Sequence, residues 1–349
     1  MELPGVPVRR MTAGQGPSFV VRFTGDGKYC LVAGQDRTVR LYNPHRADPD
    51  KEGTTKAGEL EQALLVKSYA GPHGYEVLDV AVLADNSRFV SCGEDKAAFL
   101  WDVSTGAVVR RIQGHEQRIN SCCFGAEGSV LFTASYDKTV RAWDMRSRNR
   151  SPIQTLEGCK DSATSVCTAP SGDEVVVGCV DGKVRTYDLR GARVHEDDVH
   201  APVTHASVSH DGNCLLVTCL GGVVRLLEKS SGSQLNTYTG RLHKSYRMES
   251  WLANTDAHVI SVSPSFPTSF SWPSLHLAHA GVTSQFVPPR VTTHPCPFFS
   301  NFRPLIQLPL HGSPCLCFIA PRPCRAARLS LSLPVAASGG MSHIIPLDY

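Results

Sequence analysis

Long apolar runs are missing from this 349-residue chain: no stretch of about 18 apolar residues is available to cross a bilayer as a helix. The opening residues, "MELPGVPVRRMTAGQG", also lack the apolar segment of a secretory signal. The chain therefore reads as soluble and intracellular, with no membrane partner. An excess of one charge is missing too, and a formal net charge of +3 is too small to imply a nucleic-acid or other polyanionic partner by itself. A phosphate-binding G-x-x-x-x-G-K-[ST] loop is absent, because "GCVDGK" (178–183) has one residue too few between its glycines and no hydroxyl residue after Lys183. The thirteen cysteines include no C-x-x-C pair. Nine of them (Cys30, Cys92, Cys122, Cys123, Cys159, Cys167, Cys179, Cys214 and Cys219) lie in or beside β-like segments, where a reducing compartment leaves them as small buried apolar residues. His195, His200, His205 and His210 recur every five residues, a spacing that alternates faces in strands and suits no familiar chelate, so they read as exposed loop and strand histidines. No cofactor and no metal are expected. "NRS" (149–151) is a glycosylation sequon on paper, but without a secretory signal it does not meet the enzyme.

What is present is repetition. "DRTVRLYN" (36–43), "DKAAFLWD" (95–102), "DKTVRAWD" (137–144), "DGKVRTYD" (181–188) and a decayed "GGVVRLLE" (221–228) share one layout. From Asp36, Asp95, Asp137, Asp181 and Gly221, a large residue (Tyr42, Trp101, Trp143, Tyr187 or Leu227) follows by six positions. The spacings between those large residues are 59, 42, 44 and 40, and the long first interval holds a polar insertion at 44–63. Upstream lie "GPH" (71–73) and "GH" (114–115), each histidine 28 residues before its tryptophan; Gln15, His200 and His243 are weaker counterparts. Between histidine and tryptophan the third unit reads as three strands, "INSCCF", "VLFTA" and "TVRAW", with "PIQTL" as a fourth. Four short strands repeated about every 40 residues describe one blade of a β-propeller.

These repeats resemble the WD-repeat β-propeller family over roughly residues 8–263. Within it, "HGYEVLDVAV", "GEDKAAFLWDVSTGAVVRRIQGH" and "DGKVRTYDLRG" are similar to the scaffolds that organise mitogen-activated protein kinase cascades and that also occur in spliceosomal complexes. The resemblance implies an all-β fold and a non-enzymatic scaffold that assembles signalling kinases and their adaptors, or spliceosomal proteins. It also implies a hydrogen-bonded chain inside each blade. His73, Ser91, Asp95 and Trp101 supply its parts in the second unit; His115, Asp137, Trp143 and either Thr133 or Ser135 do so in the third; Asp181 and Tyr187 are the counterparts in the fourth. The same residue types make a Ser-His-Asp hydrolase triad, but their recurrence in successive units argues for architecture over catalysis.

Three features bear on partners. In a propeller the residues just before each turn aspartate, Gln35, Glu94, Tyr136 and Val180, share a rim with Tyr75 and Arg118 of the histidine loops. Tyr136 is the best single anchor there, since an exposed aromatic offers much contact area at small entropic cost. "MRSRNR" (145–150), with Arg110 and Arg111, is a basic loop able to meet acidic protein or RNA, although such loops are commonly only solvated. "WDMR" (143–146) and "YDLR" (187–190) place Asp144 with Arg146 and Asp188 with Arg190. The pattern resembles the box by which some family members dock on a cullin-ligase adaptor, so a substrate receptor for such a ligase is the rival reading.

The pattern stops near residue 263. From 264 to 349 the chain holds 14 of its 23 prolines, no lysine and one acid, Asp348. Five arginines give this tail a charge of +4, against −1 for residues 1–263. A shifted frame or translated non-coding sequence produces such a break; a disordered Pro-rich tail is the competing explanation, although "LIQLPL" and "CLCFIA" are apolar for one. The expectation is five complete blades and part of a sixth, not properly closed, because the strand near "VPVRRMT" (6–12) lacks a partner blade and "VISVS" is left with a bare edge.

Overall fold

The computed structural model describes residues 9–11, 14–49, 60–239, 248–253, 256 and 258–262, with the backbone of three further strands at 275–279, 315–316 and 345–346. Each sequence unit becomes one antiparallel four-stranded sheet whose strands lie in chain order. A short strand β1 (Arg10–Met11) comes first. Blade 1 holds β2 (Ser18–Phe23), β3 (Cys30–Gly34), β4 (Val39–Ala47) and β5 (Ala63–Tyr69). Blade 2 holds β6 (Val77–Val82), β7 (Arg88–Gly93), β8 (Ala97–Asp102) and β9 (Val108–Gln113). Blade 3 holds β10 (Ile119–Phe124), β11 (Val130–Ser135), β12 (Val140–Asp144) and β13 (Gln154–Leu156). Blade 4 holds β14 (Ala163–Thr168), β15 (Glu174–Cys179), β16 (Lys183–Asp188) and β17 (Arg193–Asp198). Blade 5, the decayed unit, is as complete as the others, with β18 (Val203–Val208), β19 (Cys214–Cys219), β20 (Val224–Glu228) and β21 (Gln234–Tyr238). Among the described residues there is no α-helix.

The turn between the second and third strands explains the repeated Asp-Lys and Asp-Gly pairs. The residue after the turn acid takes a left-handed conformation: Arg37, Lys96 and Lys138 have φ of 62°, 56° and 71°. Glycine, which reaches that region without steric cost, holds the same place at 182 and 222. The insertion is shorter than the sequence suggests, because residues 44–47 extend β4 and Ala47 pairs with Ala63 at the start of β5. Residues 50–59 lie outside the described residues.

The core is a series of layers between consecutive blades. Leu31, Val39 and Tyr69 of blade 1 pack on Val80, Phe89 and Trp101 of blade 2. Ile112 and Leu100 meet Ile119, Leu131 and Trp143 at the next junction, and similar layers join blades 3 to 4 and 4 to 5. Among the described residues, Leu216, Val224 and Leu226 of blade 5 pack with Val259 of the sixth sheet.

The sixth sheet runs β22 (Ser250–Leu252), β23 (His258–Val262), β24 (Leu275–His279) and then β26 (Ile345–Pro346). The edge beside "VISVS" is therefore covered, contrary to expectation: Val259 pairs with Ala278 and Ser261 with His276. "LHLAH" is a proline-free stretch, so each of its residues keeps the backbone N–H that a strand's ladder uses. Strand β1 does not join this sheet. It pairs with β25 (Cys315–Leu316), and Met11 is buried against Cys30, Val32 and Tyr42 of blade 1. Among the described residues no strand is shared between blades 1 and 6.

Candidate functional site

In blades 2 and 3 the histidine, hydroxyl, aspartate and tryptophan lie within hydrogen-bonding distance of one another in series. In blade 2 the Trp101 indole N–H donates to Ser91 Oγ at 2.8 Å, Ser91 lies 2.6 Å from His73 Nε2, and His73 Nδ1 lies 2.6 Å from Asp95 Oδ2. Indole nitrogen only donates, so Ser91 turns its own proton to Nε2 and the imidazole proton sits on Nδ1, facing the carboxylate. Every group is satisfied by a neutral ring. Blade 3 repeats this with Trp143, Thr133, His115 and Asp137, at 2.8 Å for each of the three links. Of the two hydroxyls the sequence offered, Thr133 takes the role. Ser135 Oγ instead donates to Arg118 O at 2.8 Å.

Burial pushes the His73 pKa down, and the neighbouring Asp95 only partly opposes that effect. With the folded value below the unfolded value of about 6.5, the unfolded state binds the proton first on acidification. This contribution to stability is complete above about pH 6.5 and is lost as the pH falls from there toward the folded value. We expect the denaturant midpoint to decrease between pH 7 and pH 5, with a shallower decrease in His73→Gln; equal slopes for the two proteins would contradict the neutral, buried ring.

Blade 4 has Asp181 and Tyr187 but no histidine, and the structure shows what replaces it. Arg185, four residues after Asp181 and 1% exposed, bonds that carboxylate at 2.8 Å through Nη2 and Glu196 at 3.0 Å through Nε. Burial raises the Asp181 pKa, but hydrogen bonds led by that from Arg185 outweigh it, so the carboxyl is held below its usual range. The hydroxyl position of Ser91 and Thr133 becomes Val177, so the Tyr187 hydroxyl bonds Glu157 O at 3.0 Å instead. Arg40 pairs with Asp36 in the same way in blade 1. Sequence reasoning missed this substitution, because arginine at the fourth position after the turn acid also occurs as Arg141 in blade 3, which keeps its histidine. The weak histidine counterparts do not form the chain: Gln15 is exposed, His200 is exposed and pairs with Asp198, and His243 lies outside the described residues.

A second cluster, on the inner strands, went unnoticed. Asp79 of β6, 1% exposed, accepts from Arg22 Nη2 at 2.9 Å, Ser121 Oγ at 2.7 Å, Cys122 N at 3.1 Å and its neighbour Val80 N at 2.8 Å. Arg22 also reaches Glu249, ahead of β22, at 2.6 and 3.0 Å, with its guanidinium 5.0 Å from the Trp251 ring. Burial works against the Arg22 charge, yet Glu249 and Asp79 outweigh it and drive its pKa further up. Blades 1, 2, 3 and 6 thus meet on three charged side chains. The signal was a lone acid in an otherwise apolar strand, "VLDVAV".

On the rim, Tyr136 is 50% and Tyr75 61% exposed. Arg118 joins two of the other predicted residues: its guanidinium is 5.0 Å from the Tyr136 ring and 3.4 Å from Glu94. Gln35, Glu94, Tyr136 and Val180 each donate a backbone N–H to the carbonyl just before or at the start of their inner strand, at 3.0–3.2 Å, so the four occupy equivalent places. Gln35, Tyr75 and Val180 are not drawn into the Arg118 cluster.

Of the other partner features, Arg110 and the two turn acids are engaged locally, while Arg111, Arg146, Arg148, Arg150 and Arg190 are exposed. Arg110, expected as part of the basic surface, donates to Asp144 O and Ser147 O at 2.7 Å and to Asn149 O, fastening the loop from beneath. Arg111 lies 5.6 Å from the Phe99 ring. In the ligase-adaptor pattern, Asp144 accepts from Arg146 N at 2.8 Å, and Asp188 from Arg190 N at 2.9 Å and Gly191 N at 2.8 Å. These backbone bonds hold both carboxyls below their usual range. The two acids close local turns, while Arg146 is exposed and Arg190 pairs with Asp173 at 2.7 Å. His205, read as exposed, is buried 4.9 Å from the Trp251 ring. Among the described residues no three histidine, cysteine or acidic side chains converge as metal ligands.

The pattern of the WD domain, G-beta repeat, matches residues 6–43, 64–102, 106–144 and 150–188. The rat and human WD repeat domain-containing protein 83 are each 42% identical to the chain over 262 residues, covering 75% of it and 77% of their own length. The homologue from Dictyostelium discoideum is 29% identical over 276 residues, 71% of this chain and 79% of that one. With five complete blades, the internal hydrogen-bonded chains and these similarities, the chain belongs to the WD40 repeat family and is a homologue of WD repeat domain-containing protein 83.

Proposed function

We propose that this chain is a non-enzymatic scaffold, holding components of a mitogen-activated protein kinase cascade or of the spliceosome on the rim formed by Gln35, Tyr75, Glu94, Arg118, Tyr136 and Val180, in the cytoplasm and nucleus. The observation that carries this reading is Tyr136, half-exposed yet held in place by the Arg118 guanidinium stacked on its ring and tied to Glu94. A fixed aromatic beside a fork of donors loses little conformational freedom on binding, which is how a few residues come to dominate an interface. The His73–Asp95 and His115–Asp137 pairs support a structural role, because each of these two imidazoles is buried and the same chain to tryptophan recurs in successive blades.

Tyr136→Ala is expected to weaken co-precipitation of a kinase-cascade component at least severalfold, with an unchanged circular dichroism spectrum, since losing an aromatic anchor costs about 2 kcal/mol or more. Arg146→Ala is expected to leave that binding intact. Full retention by the Tyr136 variant of a partner that binds the unaltered chain moves the site off this rim.

A further inference from the structure

Blade 4 carries a thiol where blades 2 and 3 carry their loop histidine. Cys159 stands 22 residues before Asp181, the separation at which His73 and His115 precede Asp95 and Asp137. The loop follows the same path, because Lys160 N bonds Asp181 at 3.1 Å as Gly74 N bonds Asp95 at 2.9 Å and Glu116 N bonds Asp137 at 3.2 Å. Cys179, at the end of β15, places its Sγ 3.1 Å from the carbonyl of Asp161 on that loop. Cys159, two residues before Asp161 on that loop, interacts with the Cys179 thiol.

A cation lies beside them. The buried Arg185 guanidinium packs against Gly158, next to Cys159, where a side chain's first carbon would meet its Nε at 3.8 Å. Its Nη1, with no hydrogen-bond partner, is a buried donor left over after Asp181 and Glu196 are served. Interaction with Cys159, aided by backbone donors, lowers the Cys179 pKa, while interaction with Cys179 and burial raise that of Cys159. A second thiol pair, Cys92 with Cys122, is wholly buried and lacks the access that the partly exposed Cys159 gives. Thiolate is the form that attacks an oxidant, and access decides which thiol meets one.

We infer that Cys159 and Cys179 are a redox-responsive dithiol that closes to an intrachain disulfide when the protein meets hydrogen peroxide. The thiolate of the pair attacks one peroxide oxygen; the O–O bond breaks, hydroxide leaves, and that sulfur becomes a sulfenic acid. The second sulfur gives up its proton to the hydroxide and attacks the first, forming the S–S bond and expelling the remaining oxygen as hydroxide, which takes a proton from solvent. Across the sequence two thiols lose two electrons and two protons, and peroxide becomes two waters. Cys159, partly exposed, gives the oxidant its way in. The bond ties the loop at 159–161 to the end of β15 beside Val180.

The test uses the full chain, treated with hydrogen peroxide, alkylated at its remaining thiols, cut with trypsin and read by mass spectrometry. Cleavage after Lys160 separates the two cysteines, so the disulfide joins peptide 151–160 to peptide 161–183 with the loss of two hydrogens, while Cys167 in the second peptide stays alkylated. We expect this species to form at least tenfold faster than any link between Cys92 and Cys122, to vanish in Cys159→Ser and in Cys179→Ser, and to be reversed by dithiothreitol. Peptides that remain separate in the unaltered protein while its methionines oxidise, or a link through Cys167 in place of Cys179, overturn the inference. The unaltered protein alone decides these outcomes, so a variant that fails to fold does not shelter the proposal.

Discussion

Asp79→Ala is expected to lower the unfolding free energy by about 3–5 kcal/mol, the range for removing one partner of a buried ion pair. The loss exceeds that of a single contact because four donors from three blades converge on this carboxylate: Arg22, Val80 N, Ser121 Oγ and Cys122 N. Alanine leaves them in a pocket that excludes water, and each unsatisfied donor carries its own desolvation cost. Glu249→Ala serves as the comparison. Glu249 is 18% exposed, and without it Arg22 keeps Asp79, so the expected loss is about 1 kcal/mol. Denaturant titrations of the two variants decide the matter, and a loss for Asp79→Ala no greater than for Glu249→Ala would show that the inner cluster does not join the blades energetically.

Asp137→Ala is expected to cost about 1–3 kcal/mol, again mainly from partners left unsatisfied. The carboxylate accepts from His115 Nδ1 at 2.8 Å, Thr139 Oγ1 at 2.6 Å, Thr139 N at 3.0 Å and Glu116 N at 3.2 Å. Burial opposes its ionisation, but the bonds from His115 and Thr139 outweigh burial and hold the Asp137 pKa well below the usual carboxylate range. Asp26, in the "GDGK" hairpin, bonds its close neighbours Thr24 Oγ1 at 2.7 Å and Lys28 N at 3.1 Å and is more exposed, and Asp26→Ala should cost less. Denaturant midpoints for the two variants supply the check. Equal losses would mean that the chain from Asp137 through His115 and Thr133 to Trp143 adds nothing beyond a local turn.

Blade architecture was legible because it recurs. Asp95 with Trp101 and Asp137 with Trp143 show the same six-residue offset, and His73 and His115 the same 28, so each unit vouched for the next. Thr133 and Ser135 were not separable by that logic, since residues two apart on a strand share a face and strand periodicity treats them alike. The inner cluster occurs once and has no period to betray it; Arg22 meets Asp79 across 57 residues and Glu249 across 227. Arginine in place of the loop histidine escaped for a related reason. Arg40 and Arg185 reach the turn acid along their own strand, whereas His73 and His115 reach it from a preceding loop, so the replacement sits at a different point in the unit. "LHLAH", a five-residue strand, lies in the tail between prolines, where proline content gives no sign of it.

The layers between blades bear on cooperativity. When each unit touches only its neighbours, the stability of an array is a sum of unit terms and junction terms. Blades 1 to 5 are stacked through such apolar layers, one at each junction. Asp79 departs from that scheme, because its carboxylate takes donors from blades 1, 2 and 3 at once, and through Arg22 the same cluster reaches Glu249 ahead of β22. Pairwise junctions alone let an array open one unit at a time. A group shared by three units ties their opening together, so blades 1 to 3 are expected to come apart as one.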